Sequence, residues 1–158
     1  MKHDLSEVEP LVINSQINVP YDWWAGETAS RFFIDIRDDQ KILGTRCEKC
    51  HKVFVPPRKT CPRCFCEQTS WVELPPEGEL VTYTIAWRQL PALPKKAPVI
   101  FGLIKLDGAD TALLHYLDEI DPDRIKIGMR LTASFANNRK GNILDIKYFR
   151  PVETFGVS

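Results

Sequence analysis

Four cysteines carry the first chemistry legible in this chain. They read Cys47-Glu48-Lys49-Cys50, ten intervening residues, then Cys61-Pro62-Arg63-Cys64. A Cys-x-x-Cys knuckle turns sharply enough to aim both sulfurs at one point, and two facing knuckles wrap four thiolates around one metal ion. Four soft sulfurs suit Zn²⁺ and close its coordination, which marks a structural metal rather than a catalytic one. Iron takes the same four ligands, and zinc is preferred only as the commoner occupant. Cys47-Glu48-Lys49-Cys50-His51 also has the form of a c-type haem attachment motif, but that reading leaves the second knuckle unexplained. Two disulfides are a further alternative, against which stands the polar start Met1-Lys2-His3-Asp4, with no apolar signal region. The fifth cysteine, Cys66, reads as a spare thiol beside the second knuckle. As a nucleophile it would need a base, and no sequence pattern pairs it with His51, the nearest candidate.

Short strands at Ile42–Arg46 and Lys52–Val55 would put the first knuckle at a hairpin tip, and Thr60–Cys64 would supply the second. That is a rubredoxin-like zinc ribbon. Upstream, Ala29, Phe32, Phe33 and Ile36 recur with the period of an amphipathic helix from Glu27 to about Arg37. Glu27 and Arg37 suit the two ends of its dipole. Residues 1–20 have weak periodicity and read as an arm, followed by the aromatics Tyr21, Trp23 and Trp24. Downstream, Trp71–Leu74 leads through Pro75-Pro76 into a strand from Glu79. There Val81, Tyr83, Ile85 and Trp87 take one face, and Leu80, Thr82, Thr84 and Ala86 the other. Pro91, Pro94 and Pro98 hold a loop containing Lys95-Lys96. Further strands are expected at Val99–Leu106, Thr111–Leu117, Arg130–Phe135 and Ile143–Phe149. Asp121-Pro122-Asp123-Arg124-Ile125 forms a helical turn, capped by Asp121 with Pro122 at its first position. Five strands with a helical turn between the third and fourth is the plan of an OB-fold barrel. The chain therefore reads as mainly β, in three parts: arm and helix 1–40, zinc ribbon 41–70, OB-fold 71–158.

The 158 residues carry no formal net charge, but the charge is unevenly spread. Residues 1–40 hold three basic and eight acidic side chains, for −5, and residues 41–64 hold seven and one, for +6. Four thiolates around Zn²⁺ bring the ribbon to about +4. Such a cationic patch is either a solvated surface or a contact for a phosphate, a nucleic acid or an acidic partner. No apolar run approaches the roughly 20 residues of a membrane span, so a cytoplasmic protein with reduced cysteines is expected. With three histidines and no nucleophile–base pair, the chain presents no catalytic constellation. Nucleic-acid binding, with Trp87 and Phe101 stacking on bases, is the second reading. A pI of 6.8 and a barrel half of net −1 count against it.

Several motifs occur together. They are Gly44-Thr45-Arg46-Cys47-x-x-Cys50, Pro56-Pro57-Arg58, Cys61-Pro62-x-Cys64, Gly78-Glu79, Thr82-Tyr83-Thr84, Gly128-Met129 and Phe149-Arg150-Pro151. Over residues 21–152 the chain resembles a family of small zinc-ribbon plus OB-fold proteins, catalogued as domain of unknown function 35 and found with thiolases and related acyl-CoA enzymes. Its tract Tyr21-Asp22-Trp23-Trp24-Ala25-Gly26 further resembles the small zinc-finger subunits of benzoylsuccinyl-CoA thiolases, which act in anaerobic toluene breakdown. One departure is His51, where the family commonly has glycine. The resemblance implies an accessory scaffold, inactive alone, that docks on a thiolase-fold catalytic subunit and helps hold acyl-CoA. Its metal would be zinc on Cys47, Cys50, Cys61 and Cys64. Candidate contacts for CoA phosphates are Arg46, Lys49, Arg58, Lys59 and Arg63, since an arginine fork suits phosphate. Candidate partner contacts are Tyr21, Trp23 and Trp24 with the helix face Phe32, Phe33 and Ile36.

Overall fold

The computed structural model describes residues 8–17, 19–89 and 95–152. Among these residues one α-helix precedes eight strands. Helix α1 spans Glu27–Asp39 and ends on Gln40 in the left-handed conformation, whose N–H returns to the Asp35 carbonyl. Strands β1 (Ile42–Arg46), β2 (Val53–Phe54) and β3 (Ser70–Leu74) form an antiparallel sheet in the order β2-β1-β3. The stretch Trp71–Leu74, read from the sequence as a lead into the barrel, instead pairs with β1 along its whole length. Gly44, at the middle of β1, leaves room for the crossing of β2, since a Cβ there would lie 2.9 Å from the Phe54 carbonyl oxygen.

Strands β4 (Glu77–Ala86), β5 (Val99–Leu106), β6 (Leu113–Leu117), β7 (Arg130–Phe135) and β8 (Ile146–Pro151) close a barrel in the order β4-β5-β6-β8-β7. That order, with a 3-10 turn at Pro122–Arg124 between β6 and β7, is the OB-fold. Asp121 caps the turn as expected, accepting the Asp123 N–H.

Two barrel details depart from the sequence pattern. A bulge between Leu80 and Thr82 inserts one extra residue into β4 and reverses the alternation behind it. Leu80 and Ile85 therefore both pack on the core, although strict alternation puts them on opposite faces. The last strand starts at Ile146, because Ile143–Asp145 forms a 3-10 turn. There Asn142 accepts the Leu144 N–H, and the buried Asp145 carboxylate gathers the N–H groups of Lys140, Gly141 and Asn142. This polar capping box outweighs the apolar pull of Ile143 and Leu144 toward a strand. Of the proline loop, Pro91 and Pro94 lie outside the described residues.

A single core joins all three parts. Phe32 and Ile36 from α1 meet Ile42, Val53, Val55 and Leu74 from the ribbon, and Leu80, Ile104, Leu131 and Phe149 from the barrel. The ribbon is also bolted to the barrel along the outer edge of β2. Asp110 accepts the Val53 N–H and the Lys52 ammonium at 2.8 and 2.6 Å, and its own N–H donates to the Val53 carbonyl. The Thr111 hydroxyl accepts from the Val55 N–H and donates to the Val55 carbonyl. A two-residue strand thus gains the pairing that it is too short to hold alone.

Candidate metal centre

The two knuckles have the same backbone design. In the first, the His51 N–H donates to the Cys47 carbonyl and the Cys47 N–H to the Lys52 carbonyl. In the second, Phe65 donates to Cys61 and Cys61 to Cys66. Each knuckle closes on a left-handed residue, His51 at φ 58° and Phe65 at φ 54°. Glycine takes this conformation without steric cost, which explains its use after such a knuckle. Here the exposed side chains of His51 and Phe65 tolerate it, so the departure at His51 leaves the turn intact.

The sulfurs of Cys47, Cys50, Cys61 and Cys64 all lie within 4.8 Å of one another, and those of Cys50 and Cys61 are 3.8 Å apart. A tetrahedral ion with Zn–S bonds of about 2.3 Å holds its sulfurs about 3.8 Å apart. Cys47 and Cys61 are fully buried, Cys50 and Cys64 half-buried, and none forms a disulfide. Backbone N–H groups, that of Cys50 foremost, hold the Cys47 thiol down at about 6, while burial pushes Cys64 up to about 12. Four thiolates so crowded need a dication to coexist, and this donor set fits a structural zinc ion. Cys66 stands outside the quartet, its sulfur 3.5 Å from that of Cys47. It meets a ligand sulfur rather than His51.

Residues 35–68 match the family model described as the ChsH2 rubredoxin-like zinc ribbon domain, and residues 71–136 match the ChsH2 C-terminal OB-fold domain. The chain belongs to the ChsH2-type DUF35 family. Its curated relatives include DUF35 domain-containing scaffold proteins of Methanocaldococcus jannaschii and Pyrococcus furiosus. They are 25% and 27% identical, over 75% and 78% of this chain and 86% and 92% of theirs. A probable enoyl-CoA hydratase alpha subunit of Thermomonospora curvata is 29% identical, but the match spans only 30% of that protein. Among solved structures, a DUF35 protein of unknown function from Sulfolobus solfataricus is 28% identical, with a TM-score of 0.57 over 68% of this chain and 78% of that one. The Ltp2-ChsH2(DUF35) aldolase matches with a TM-score of 0.60 at 23% identity, over 82% of this chain and 98% of that one. This is a likeness of fold.

The other candidate residues divide. In this DUF35 chain Arg46, Lys49, Arg58, Lys59 and Arg63 all remain exposed on the ribbon, and only Lys59 has an ion-pair partner among the described residues, Glu67 at 3.9 Å. Tyr21, Trp23 and Trp24 are 78%, 74% and 78% exposed. The helix face requires a correction. Phe32 and Ile36 are 2% and 0% exposed and belong to the chain's own core, so they offer nothing to a partner. The periodicity that marked them as apolar could not say which surface would cover them. Phe33, half-buried, lines a hollow of about 360 Å³ with Pro57, Leu103, Leu114 and Ile143. No helix of the described residues is long and apolar enough to cross a membrane.

Sequence reasoning missed three features. One is the Asp110–Thr111 bolt. Another is Lys95, whose ammonium pairs with Asp118 at 2.7 Å and lies about 5 Å from the ring centres of Tyr116 and Tyr148. The third is Gln68, a buried amide at the entrance to β3. Two of these join residues distant in the chain, and the third is a polar residue where the local pattern carries no sign of burial.

Proposed function

We propose that this chain is a non-catalytic, zinc-binding accessory subunit of a thiolase-type acyl-CoA enzyme. It assembles or stabilises a thiolase-fold catalytic subunit and helps to hold the acyl-CoA. The observation that carries this reading is the exposed aromatic segment. Tyr21, Trp23 and Trp24 stand free of the ribbon and the barrel, next to a helix whose apolar face is already used inside the chain. Large aromatics of this kind are the usual anchors of a protein interface. The relatives named as scaffold proteins support the reading, as does the relative named as a subunit of an acyl-CoA enzyme.

The cationic ribbon would take the phosphates of CoA, through the exposed Arg46, Lys49, Arg58, Lys59 and Arg63. The tract Tyr21–Gly26 favours benzoylsuccinyl-CoA thiolase as the enzyme served. Zinc has an architectural role here, because it closes the two knuckles that carry Lys49 and Arg63, with Arg46 next to Cys47. The test is co-purification of a tagged chain from its native source, with the retained protein identified by mass spectrometry and then produced recombinantly. A thiolase-fold subunit that binds the wild-type chain, and is lost with the Trp23→Ala, Trp24→Ala double variant, is the expected result. A double variant that binds unchanged would move the interface away from the arm. Thiolase activity from the isolated chain would overturn the accessory role altogether.

A further inference from the structure

Five sulfurs gather in the ribbon, and the metal centre uses four of them. Cys66 supplies the fifth, 3.5 Å from the sulfur of Cys47. That is closer than the 3.8 Å between the ligand sulfurs of Cys50 and Cys61. The hairpin around Cys66 fixes its position. The Phe65 N–H donates to the Cys61 carbonyl, the Cys61 N–H to the Cys66 carbonyl and the Gln68 N–H to the Lys59 carbonyl, while Thr60 bridges to Glu67. Cys66 therefore sits in a closed, hydrogen-bonded turn. Its side chain is half-buried, in contact with a ligand sulfur but not sealed from solvent.

The pair Cys47–Cys66 differs from any pair of ligands. A tetrahedral ion holds its sulfurs about 3.8 Å apart and engages an electron pair of each. Cys66 is outside that quartet, so its sulfur is free to meet an oxidant and free to move. A disulfide needs sulfurs about 2.05 Å apart, which leaves Cys66 about 1.5 Å to travel, a distance that small side-chain rotations cover. A thiol without a role could stand anywhere on the hairpin. This one stands against Cys47, a fully buried ligand of the metal centre.

We infer that Cys66 is an oxidation site with Cys47 as its resolving partner, so that a hydroperoxide opens the metal centre reversibly. In the first step the Cys66 sulfur attacks the terminal peroxide oxygen. The O–O bond breaks, the thiol proton leaves with the alkoxide as an alcohol (water, from hydrogen peroxide), and Cys66 becomes a sulfenic acid. In the second step the Cys47 sulfur attacks the Cys66 sulfur. The S–S bond forms, the S–O bond breaks, and the departing hydroxide takes a proton from solvent to form water. The two sulfurs lose two electrons and the peroxide gains two. The electron pair with which Cys47 bound the ion now lies in the S–S bond. The centre is left with three thiolates and releases the ion, and the ribbon opens with it. A dithiol reductant and fresh zinc reverse the change. The proposal rests on the metal centre alone and holds whichever partner the chain serves.

The experiment uses the full-length, reduced, zinc-loaded chain and hydrogen peroxide. A chromogenic chelator follows zinc release, and dimedone in a parallel sample traps sulfenic acid. The product is then alkylated, digested without reduction and mapped by mass spectrometry. The wild-type chain is expected to release its zinc as a Cys47–Cys66 disulfide forms, with the dimedone adduct on Cys66. Cys66→Ser, which lacks the attacking sulfur, is expected to release zinc at least about tenfold more slowly at the same peroxide concentration. Should Cys66→Ser fail to hold zinc, Cys66→Ala takes its place, and the disulfide map of the wild-type chain decides the pairing without any variant. Dithiothreitol with added zinc is expected to restore the loaded chain. Release from Cys66→Ser as fast as from wild type would overturn the proposal. So would a disulfide between two of the four ligands with Cys66 alkylated, or Cys66 oxidised to sulfinic acid with the zinc retained. Zinc that does not return after reduction would make the reaction damage and not a switch, which also refutes it.

Discussion

Asp110→Ala tests how the ribbon is held to the barrel. The carboxylate accepts the buried Val53 N–H at 2.8 Å and the Lys52 ammonium at 2.6 Å. Loss of a charged acceptor from a backbone donor costs about 1.5–3 kcal/mol. The Lys52 pair contributes under about 1 kcal/mol, since both side chains are a third or more exposed and solvent screens them. The expected destabilisation is about 2 kcal/mol, or a fall of about 4–8 °C in Tm for a chain of this size. Asp110→Asn separates the two parts, because its carbonyl still accepts from Val53, and it should cost under about 1 kcal/mol. The pH dependence has a definite sign. Lys52, then the Val53 N–H, hold the Asp110 carboxyl below its ordinary value of 3.8. Its contribution is therefore full above that value and disappears as pH falls through the lower folded value. Thermal and denaturant unfolding of the zinc-loaded protein, with zinc release to a chelator followed in parallel, gives the answer. An Asp110→Ala protein within about 0.5 kcal/mol of wild type, the span of ordinary surface changes, would show that the bolt on β2 does not hold the ribbon.

Cys61→Ser should abolish the single zinc and unfold the ribbon, whereas Cys66→Ser should keep one zinc per chain by metal analysis; the opposite pattern would overturn the ligand assignment. His115 is buried, with Nδ1 accepting the Tyr116 N–H and Nε2–H donating to the Ile143 carbonyl, and burial lowers its pKa from 6.5. The unfolded chain therefore takes the proton first, and stability should decline as pH falls from 7 toward 5. A flat profile in urea unfolding across that window would contradict the buried neutral ring. The Trp23→Ala, Trp24→Ala free chain should keep its zinc and its Tm to within a degree or two, because both rings are exposed; a large drop by calorimetry would assign them to the fold.

What the sequence determined by itself was whatever depends on near neighbours. Cysteine spacing dictates the knuckles, because two residues between thiols is the span that lets a tight turn aim both at one ion. The bounds of β1 and β7, the helix from Glu27 and the Asp121 cap were likewise legible, since periodicity and capping act within a turn or a strand. Tertiary structure alone decided which surfaces meet. Phe32 and Ile36 look like a docking face until Ile42, Val55 and Leu74 cover them. Asp110 bolts a strand 57 residues away, and no local signal reports a partner at that distance. The bulge at Val81 reverses a face assignment that alternation makes with apparent clarity, because closing a barrel demands a bend in β4. Gln68 has no local mark at all. A glutamine between a knuckle and a strand is an ordinary surface residue by type, and only the folded chain buries its amide, with no hydrogen-bond partner among the described residues.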